Sequence, residues 1–141
     1  MMSLQPGDVV DRYEVMSVLG QGGMAVVLEV RHRELGTRHA LKVLQIALPG
    51  LHDRLLQEGR MQAGLMHPNV CQVSDVVRVG GVPGLVMELV AGPTMDTLVA
   101  NYQPSLPQID VLARGIMSGV RAAHAAGLVH GDVKAENVMR E

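Results

Sequence analysis

The sequence predicts an α+β fold with five strands and one helix in its first ninety residues, and mainly helical chain after that. Three observations carry this. β-branched residues dominate from Tyr13 to Leu44, with a glycine cluster between two runs, and again from Val70 to Leu89 around Gly80-Gly81. Leu51, Leu55, Glu58, Gln62 and Leu65 recur at helical spacing between these two groups. Beyond Ala91-Gly92-Pro93 the pattern turns helical and stays so to Gly127.

In order, residues 1–12 contain Pro6-Gly7-Asp8 and read as a lead-in turn. Tyr13 to Leu19 and Ala25 to His32 form a hairpin tipped by Gly20-Gln21-Gly22-Gly23-Met24. A third strand, Arg38 to Leu44, alternates so that Ala40, Lys42 and Leu44 share one face and Leu41 and Val43 the other. After Pro49-Gly50 a helix runs from Leu51 to Leu65. Strands Val70 to Val79 and Val82 to Leu89 then pair through Gly80-Gly81. A short helix reaches Asn101, and a longer one runs from about Gln108 to Ala126, where Gly127 stops it. Leu112, Ile116, Val120 and Ala123 share one face of it, and Ala113, Met117 and Ala125 widen that stripe. The domain reading is a lead-in over 1–12, a strand-rich unit over 13–90 and a helical unit over 91–141.

Composition narrows the function. Twelve basic against fourteen acidic residues give a net charge of −2, the wrong sign for binding nucleic acid or an anionic membrane. Phe and Trp are absent, which removes base-stacking platforms and leaves Val, Leu, Ile and ten Met to fill the core. The N-terminus shows no secretory signal, and no run approaches the ~18 apolar residues of a membrane span, so a cytoplasmic location is expected. Cys71, the one cysteine, sits in an apolar stretch expected to be a strand and reads as a small buried hydrophobe.

Two motifs could carry chemistry. Gly20-x-Gly22-x-x-Ala25-x-Val27 alone is weak, with about a 5% chance of arising from this composition. It also resembles a dinucleotide-binding fingerprint, but Val26 to Val30 continues as a strand where that fold opens a helix. A phosphate-approaching flap and an ordinary hairpin turn both remain open. His130-x-Asp132-x-Lys134-x-x-Asn137 is stronger, at about one chance match in ten thousand. An Asp to accept a hydroxyl proton, a Lys to neutralise phosphate charge and an Asn oxygen for a hard cation suit in-line phosphoryl transfer; the bland alternative is a polar loop. Of twelve basic residues only Lys42 and Lys134 are lysines, and both occupy positions singled out on other grounds. Glu58 falls on an apolar helical stripe, where a carboxylate is costly unless paired. Lys42 is the natural partner, unless the helix turns Glu58 to solvent.

Taken together these residues resemble the eukaryotic-type Ser/Thr protein kinases, especially bacterial ones. The motifs run in order: Leu19-Gly20-Gln21-Gly22-Gly23-Met24-Ala25-Val26-Val27 as the glycine-rich loop, His39-Ala40-Leu41-Lys42 as the strand-lysine motif, and Glu58 as the glutamate of helix C. His67-Pro68-Asn69 follows that helix, Leu85-Val86-Met87-Glu88 enters the hinge, and His130 to Asn137 is the catalytic loop. The resemblance implies a kinase-like fold: a five-stranded antiparallel N-lobe with helix C and hinge over 13–90, then the first helices of an incomplete α-helical C-lobe over 91–141.

It further implies that Leu19, Gly20, Gly22, Gly23, Ala25, Val27 and Ala40 surround ATP, with Met87 as gatekeeper and Glu88 and Val90 offering hinge backbone groups. Lys42, paired to Glu58, would hold the α- and β-phosphates. Asp132 would be the catalytic base, Lys134 would steady the γ-phosphate, and Asn137 would bind Mg²⁺ or Mn²⁺. The implied partners are ATP and a protein Ser/Thr substrate, with no nucleic acid and no membrane contact in this segment.

Three departures stand out. Ala25 replaces the third loop glycine. Gly131 replaces the Arg that clamps a phosphorylated activation loop. The Asp-Phe-Gly motif and activation segment, expected after the catalytic loop, do not occur by Glu141. The isolated 141-residue chain is therefore expected to turn over little or not at all. A non-catalytic nucleotide- or partner-binding module is the alternative reading.

Overall fold

The computed structural model describes residues 3–46, 48–92, 95–101 and 103–127. The elements in order are β1 (Val9–Val10), β2 (Tyr13–Gln21), β3 (Ala25–His32), β4 (Arg38–Leu44), α1 (Leu51–Ala63), β5 (Val73–Val79), β6 (Val82–Met87), α2 (Met95–Asn101) and α3 (Leu106–Ala125). They fall into two compact units. One comprises the chain up to Ala63 together with Gln72–Leu89; the other takes Gly64–Cys71 and the described residues from Val90 onward.

The first unit is a six-stranded sheet in the order β1-β2-β3-β4-β6-β5, with every neighbouring pair antiparallel. The sixth strand is β1, two residues inside the expected lead-in, too short for any alternation to reveal. One face of the sheet curls around a core that includes Val15, Leu28, Val30, Leu41, Val77 and Val86. Both edges of the sheet supply that core, and they also meet through polar groups. Arg12 and Asp75 form an ion pair, the Tyr13 hydroxyl donates to Asp75 Oδ2 at 2.8 Å, and the Arg78 N–H donates to Asp11 Oδ2 at 3.0 Å. Closing the edges in this way covers strand groups that would otherwise invite a foreign strand. Gly80 and Gly81 turn β5 into β6 with φ of 57° and 85°, the pair of positive values that a two-residue hairpin turn of matching twist needs.

The opposite face carries a smaller cluster of Leu55, Val73 and Leu85, with Leu44, Val76 and Met87 against it. This is where α1 lies. The expected alternation on β4 holds, since Leu41 and Val43 enter the main core while Leu44 packs under α1. Cys71 departs from expectation: it precedes β5 rather than lying in it, and is half-buried.

In the second unit α3 begins two residues earlier than the periodicity suggested. Pro107 sits in the first turn, where a missing N–H costs nothing. Ser105 and Gln108 close a capping box: the Gln108 N–H donates to Ser105 Oγ at 3.4 Å and the Ser105 N–H donates to Gln108 Oε1 at 2.8 Å. Leu112, Ile116, Val120 and Ala123 are half-buried along one face, whereas Met117 stays exposed. Among the described residues no helix is long and apolar enough to cross a membrane.

Candidate functional site

Strand register assembles the candidate site. Gly20 pairs with Val27, Val27 with Lys42, and Lys42 with Leu85, so the four lie in one row across β2, β3, β4 and β6. Paired residues in an antiparallel sheet share a face, and neighbouring strands lie about 4.8 Å apart. The next row toward the chain's Val90 end pairs Ala40 with Met87 on that same face. Val27, Ala40, Lys42 and Met87 thus form one continuous patch. Ala40 is buried, and Val27, Lys42 and Met87 are half-buried. A short aliphatic floor beside one ammonium group is suited to a flat apolar ring joined to an anion.

The β2–β3 hairpin carries Leu19, Gly20, Gly22, Gly23 and Ala25 at its end, all exposed except the half-buried Ala25. The Gly22 N–H donates to the Ala25 carbonyl at 2.9 Å, and the Gln45 N–H donates to the Met24 carbonyl at 2.8 Å, tying the tip to the end of β4. None of the three glycines has a left-handed φ. Among the described residues a Cβ at Gly20 or Gly23 would meet nothing within 4 Å, and one at Gly22 only the Ala25 oxygen at 3.7 Å. Neither backbone strain nor crowding among the described residues therefore calls for glycine here. What these glycines provide is unobstructed backbone for something outside the chain to approach.

Glu88 follows β6. Its N–H donates to the Gln72 carbonyl at 2.8 Å, and its carboxylate accepts from the Gln72 N–H at 3.4 Å, which fixes the exit of the strand beside the start of β5. Val90, half-buried, opens the second unit.

The expected Lys42–Glu58 pair is not formed. Glu58 is exposed, and neither residue is in any ion pair among the described residues. The physical reason is the rotation of α1. Its buried positions are Leu55 and Gly59, one turn apart, and Gly59 lies directly against Leu85. Glu58 is thereby carried round to the flank. Helical spacing tells which residues share a face but leaves open which face turns inward, and the alternative of a solvent-facing Glu58 is the one realised.

The second half of the constellation, Asp132, Lys134 and Asn137 with His130 and Gly131, lies outside the described residues. Among the described residues no group of three or more His, Cys, Asp or Glu could hold a metal ion. The bare glycine backbone and the Lys42 ammonium are chemically suited to an anionic group beside an apolar ring, and Asn137, the metal donor that the resemblance implies, lies outside the described residues.

Sequence reasoning missed Gly59, whose only signal is a glycine inside a helical pattern. It also missed a seat in the second unit for the His67-Pro68-Asn69 turn. The Asn69 N–H donates to His67 Nδ1 at 3.0 Å, and His67 Nε2 lies 3.1 Å from Ser118 Oγ on α3. A Cβ at Gly119 would stand 2.7 Å from the Asn69 carbonyl oxygen, and one at Gly115 3.1 Å from Asn69 Nδ2. Two glycines four apart cut a notch that admits this turn.

The sequence matches the protein kinase domain over residues 13–141. Serine/threonine-protein kinase PknB of Mycobacterium leprae is 34% identical over 143 residues, covering 95% of this chain and 23% of that protein. PknH of Mycobacterium bovis, also a serine/threonine-protein kinase, is 31% identical over 137 residues, covering 94% and 23%. The crystal structure of the Mycobacterium tuberculosis PknI kinase domain superposes with a TM-score of 0.78 at 30% identity, covering 99% of this chain and 59% of that one. The chain thus spans under a quarter of these two protein relatives and somewhat over half of that solved domain. With the family's motifs in order and its strand-rich fold in place, the chain belongs to the protein kinase domain family.

Proposed function

We propose that this chain is the nucleotide-binding part of a cytoplasmic protein kinase that moves the γ-phosphate of ATP to Ser or Thr hydroxyls of proteins. In this reading 13–90 is the N-lobe with its hinge, and 91–141 begins the C-lobe. Val27, Ala40 and Met87 floor and border the adenine, while backbone groups of Glu88 and Val90 hold its edge. Leu19 and the stretch from Gly20 to Ala25 fold over the phosphates, and Lys42 neutralises the α- and β-phosphates. Asp132 accepts the proton of the attacking hydroxyl, Lys134 offsets charge on the γ-phosphate, and Asn137 holds Mg²⁺ or Mn²⁺. The metal, when bound, neutralises charge between the phosphates.

The observation that carries this reading is the row Gly20-Val27-Lys42, which sets the lysine beside a glycine tip that packing among the described residues does not require. The test uses the whole polypeptide that bears this sequence, with radiolabelled ATP and casein. Lys42→Met is expected to weaken ATP binding about tenfold or more, and Asp132→Asn to cut transfer at least about a hundredfold while leaving ATP affinity in place. Transfer untouched by either substitution would refute the assignment. The solvent-facing Glu58 favours a second reading, a module that binds nucleotide without transferring phosphate. ATP binding with no transfer by the parent polypeptide would select it.

A further inference from the structure

Helix α1 places a glycine at the point where it lies closest to the sheet. Gly59 is buried, and an ideal Cβ there would stand 2.5 Å from Leu85 Cδ2 and 3.2 Å from Cδ1. Glycine inside a helix is less favourable than alanine, because it gives up more backbone freedom. No left-handed φ explains its use here, because Gly59 is not among the glycines with positive φ. What it supplies is room for α1 to settle on β6 along the Leu55–Gly59 line.

That setting has an electrostatic consequence. At about 100° per residue, Glu58 stands about 80° round the helix from the middle of the Leu55–Gly59 line, which accounts for its exposure. Lys42 is the register partner of Leu85, the residue that Gly59 touches, and lies half-buried on the face that α1 covers. It has no acidic partner among the described residues. A side chain at position 59 needs either a new rotamer of the buried Leu85 or a turn of the helix that carries this line away from it. Of the two directions, one brings in Leu56 and the other Glu58, and only the second gives the Lys42 ammonium a counter-charge.

We propose that Gly59 is a positioning residue that sets the rotation of α1 and thereby keeps Glu58 away from Lys42. A Cβ at this position shifts the helix toward the setting in which the two pair. The consequence for phosphate transfer rests on the kinase reading above, but the rotation itself does not.

The test is a double-mutant cycle between Lys42→Met and Glu58→Gln, run in the whole polypeptide without nucleotide. It reads hydrogen exchange of a peptide spanning residues 51–63, in the parent and in Gly59→Ala. In the parent the two substitutions are expected to act independently, within about twofold. In Gly59→Ala the double variant is expected to exchange about three- to fivefold more slowly than the product of the single effects, the signature of an ion pair already lost in each single variant. Adding Leu85→Val restores the room and is expected to abolish that coupling. Equal coupling in parent and Gly59→Ala overturns the proposal, and the parent arm needs no substitution at position 59. Absence of coupling in Gly59→Ala overturns it too, whether Leu85 merely reorients or α1 no longer forms. Because no arm contains ATP, a failure of the kinase reading leaves these outcomes unchanged.

Discussion

Removing one oxygen atom, by Tyr13→Phe, tests whether the two edges of the curled sheet are latched by polar contacts. The Tyr13 ring is 4% exposed and meets His32 and His39 edge-on at centroid distances of 5.3 and 5.6 Å, contacts that phenylalanine preserves. The 2.8 Å hydrogen bond to Asp75 Oδ2 is lost, together with the hydroxyl's interaction with the Arg12 side chain. Burial, reinforced by Asp75, pushes the tyrosine hydroxyl's pKa up, so it remains a donor at neutral pH. A hydrogen bond to a charged acceptor contributes about 1.5–3 kcal/mol. Asp75 keeps Arg12 and the Val76 N–H, and its side chain is 29% exposed, so water recovers part of the loss. The expected cost is about 1–1.5 kcal/mol, or about five- to tenfold faster native-state hydrogen exchange in peptides covering residues 8–15 and 73–79.

The pH dependence gives the sign. Burial alone would raise the Asp75 carboxyl, but hydrogen bonds from Tyr13, the Val76 N–H and Arg12 outweigh it and hold the group below its usual 3.8. A depressed aspartate contributes stability above its unfolded value and loses it as pH falls through the folded one. The Tyr13→Phe penalty is therefore expected in full at neutral pH and to shrink below about pH 4. An effect under twofold at neutral pH, or one that does not shrink in acid, refutes the latch.

Other expectations follow from single contacts. Gly119→Ala places a Cβ 2.7 Å from the Asn69 carbonyl oxygen, main chain that cannot swing aside, so a loss of about 1–3 kcal/mol is expected in thermal unfolding. Gly115→Ala faces the Asn69 side-chain amide at 3.1 Å and should cost less; equal costs would argue against the notch. Gly23→Ala is expected to leave stability within about 0.5 kcal/mol but to weaken ATP binding, whereas Gly36→Ala, at φ 73°, should cost about 1 kcal/mol and leave ATP binding alone. The reverse pattern would remove the reason given for glycine at the hairpin tip. Burial, and next the neighbouring charge of His32, lowers the His39 pKa from 6.5, so the unfolded chain takes up its proton first and stability is lost as pH falls through that value. Replacing it, His39→Gln, should flatten the fall in melting temperature between about pH 7 and pH 5, and an unchanged slope would refute the assignment.

The elements that sequence reasoning located well are those whose signal is local. Ala25–His32 is rich in valine and Arg38–Leu44 alternates Ala40, Lys42 and Leu44 with Leu41 and Val43, each run follows a glycine-containing turn, and both occur with the expected ends. The glycine tip and Lys42 follow from those strands, since register alone brings them into one row. The misplaced features depend on relations a one-dimensional pattern does not contain. The Tyr13–Asp75 bond joins residues 62 apart, and β1 is visible only because it pairs with β2. The Glu58 error is more instructive. Leu51, Leu55, Glu58 and Gln62 do lie close together on α1, so the stripe was a fair reading of the helix, but a stripe is wide enough to roll by most of one residue's angle. Hydropathy scales give glycine almost no weight, yet it was the absence of a side chain at Gly59 that let α1 settle on Leu85 with the carboxylate outside. A lysine suited to an acid partner and a glutamate within one helix rotation of it are therefore both legible in the sequence, while the choice between paired and unpaired states rests on two carbon positions, the missing Cβ of Gly59 and Cδ2 of Leu85.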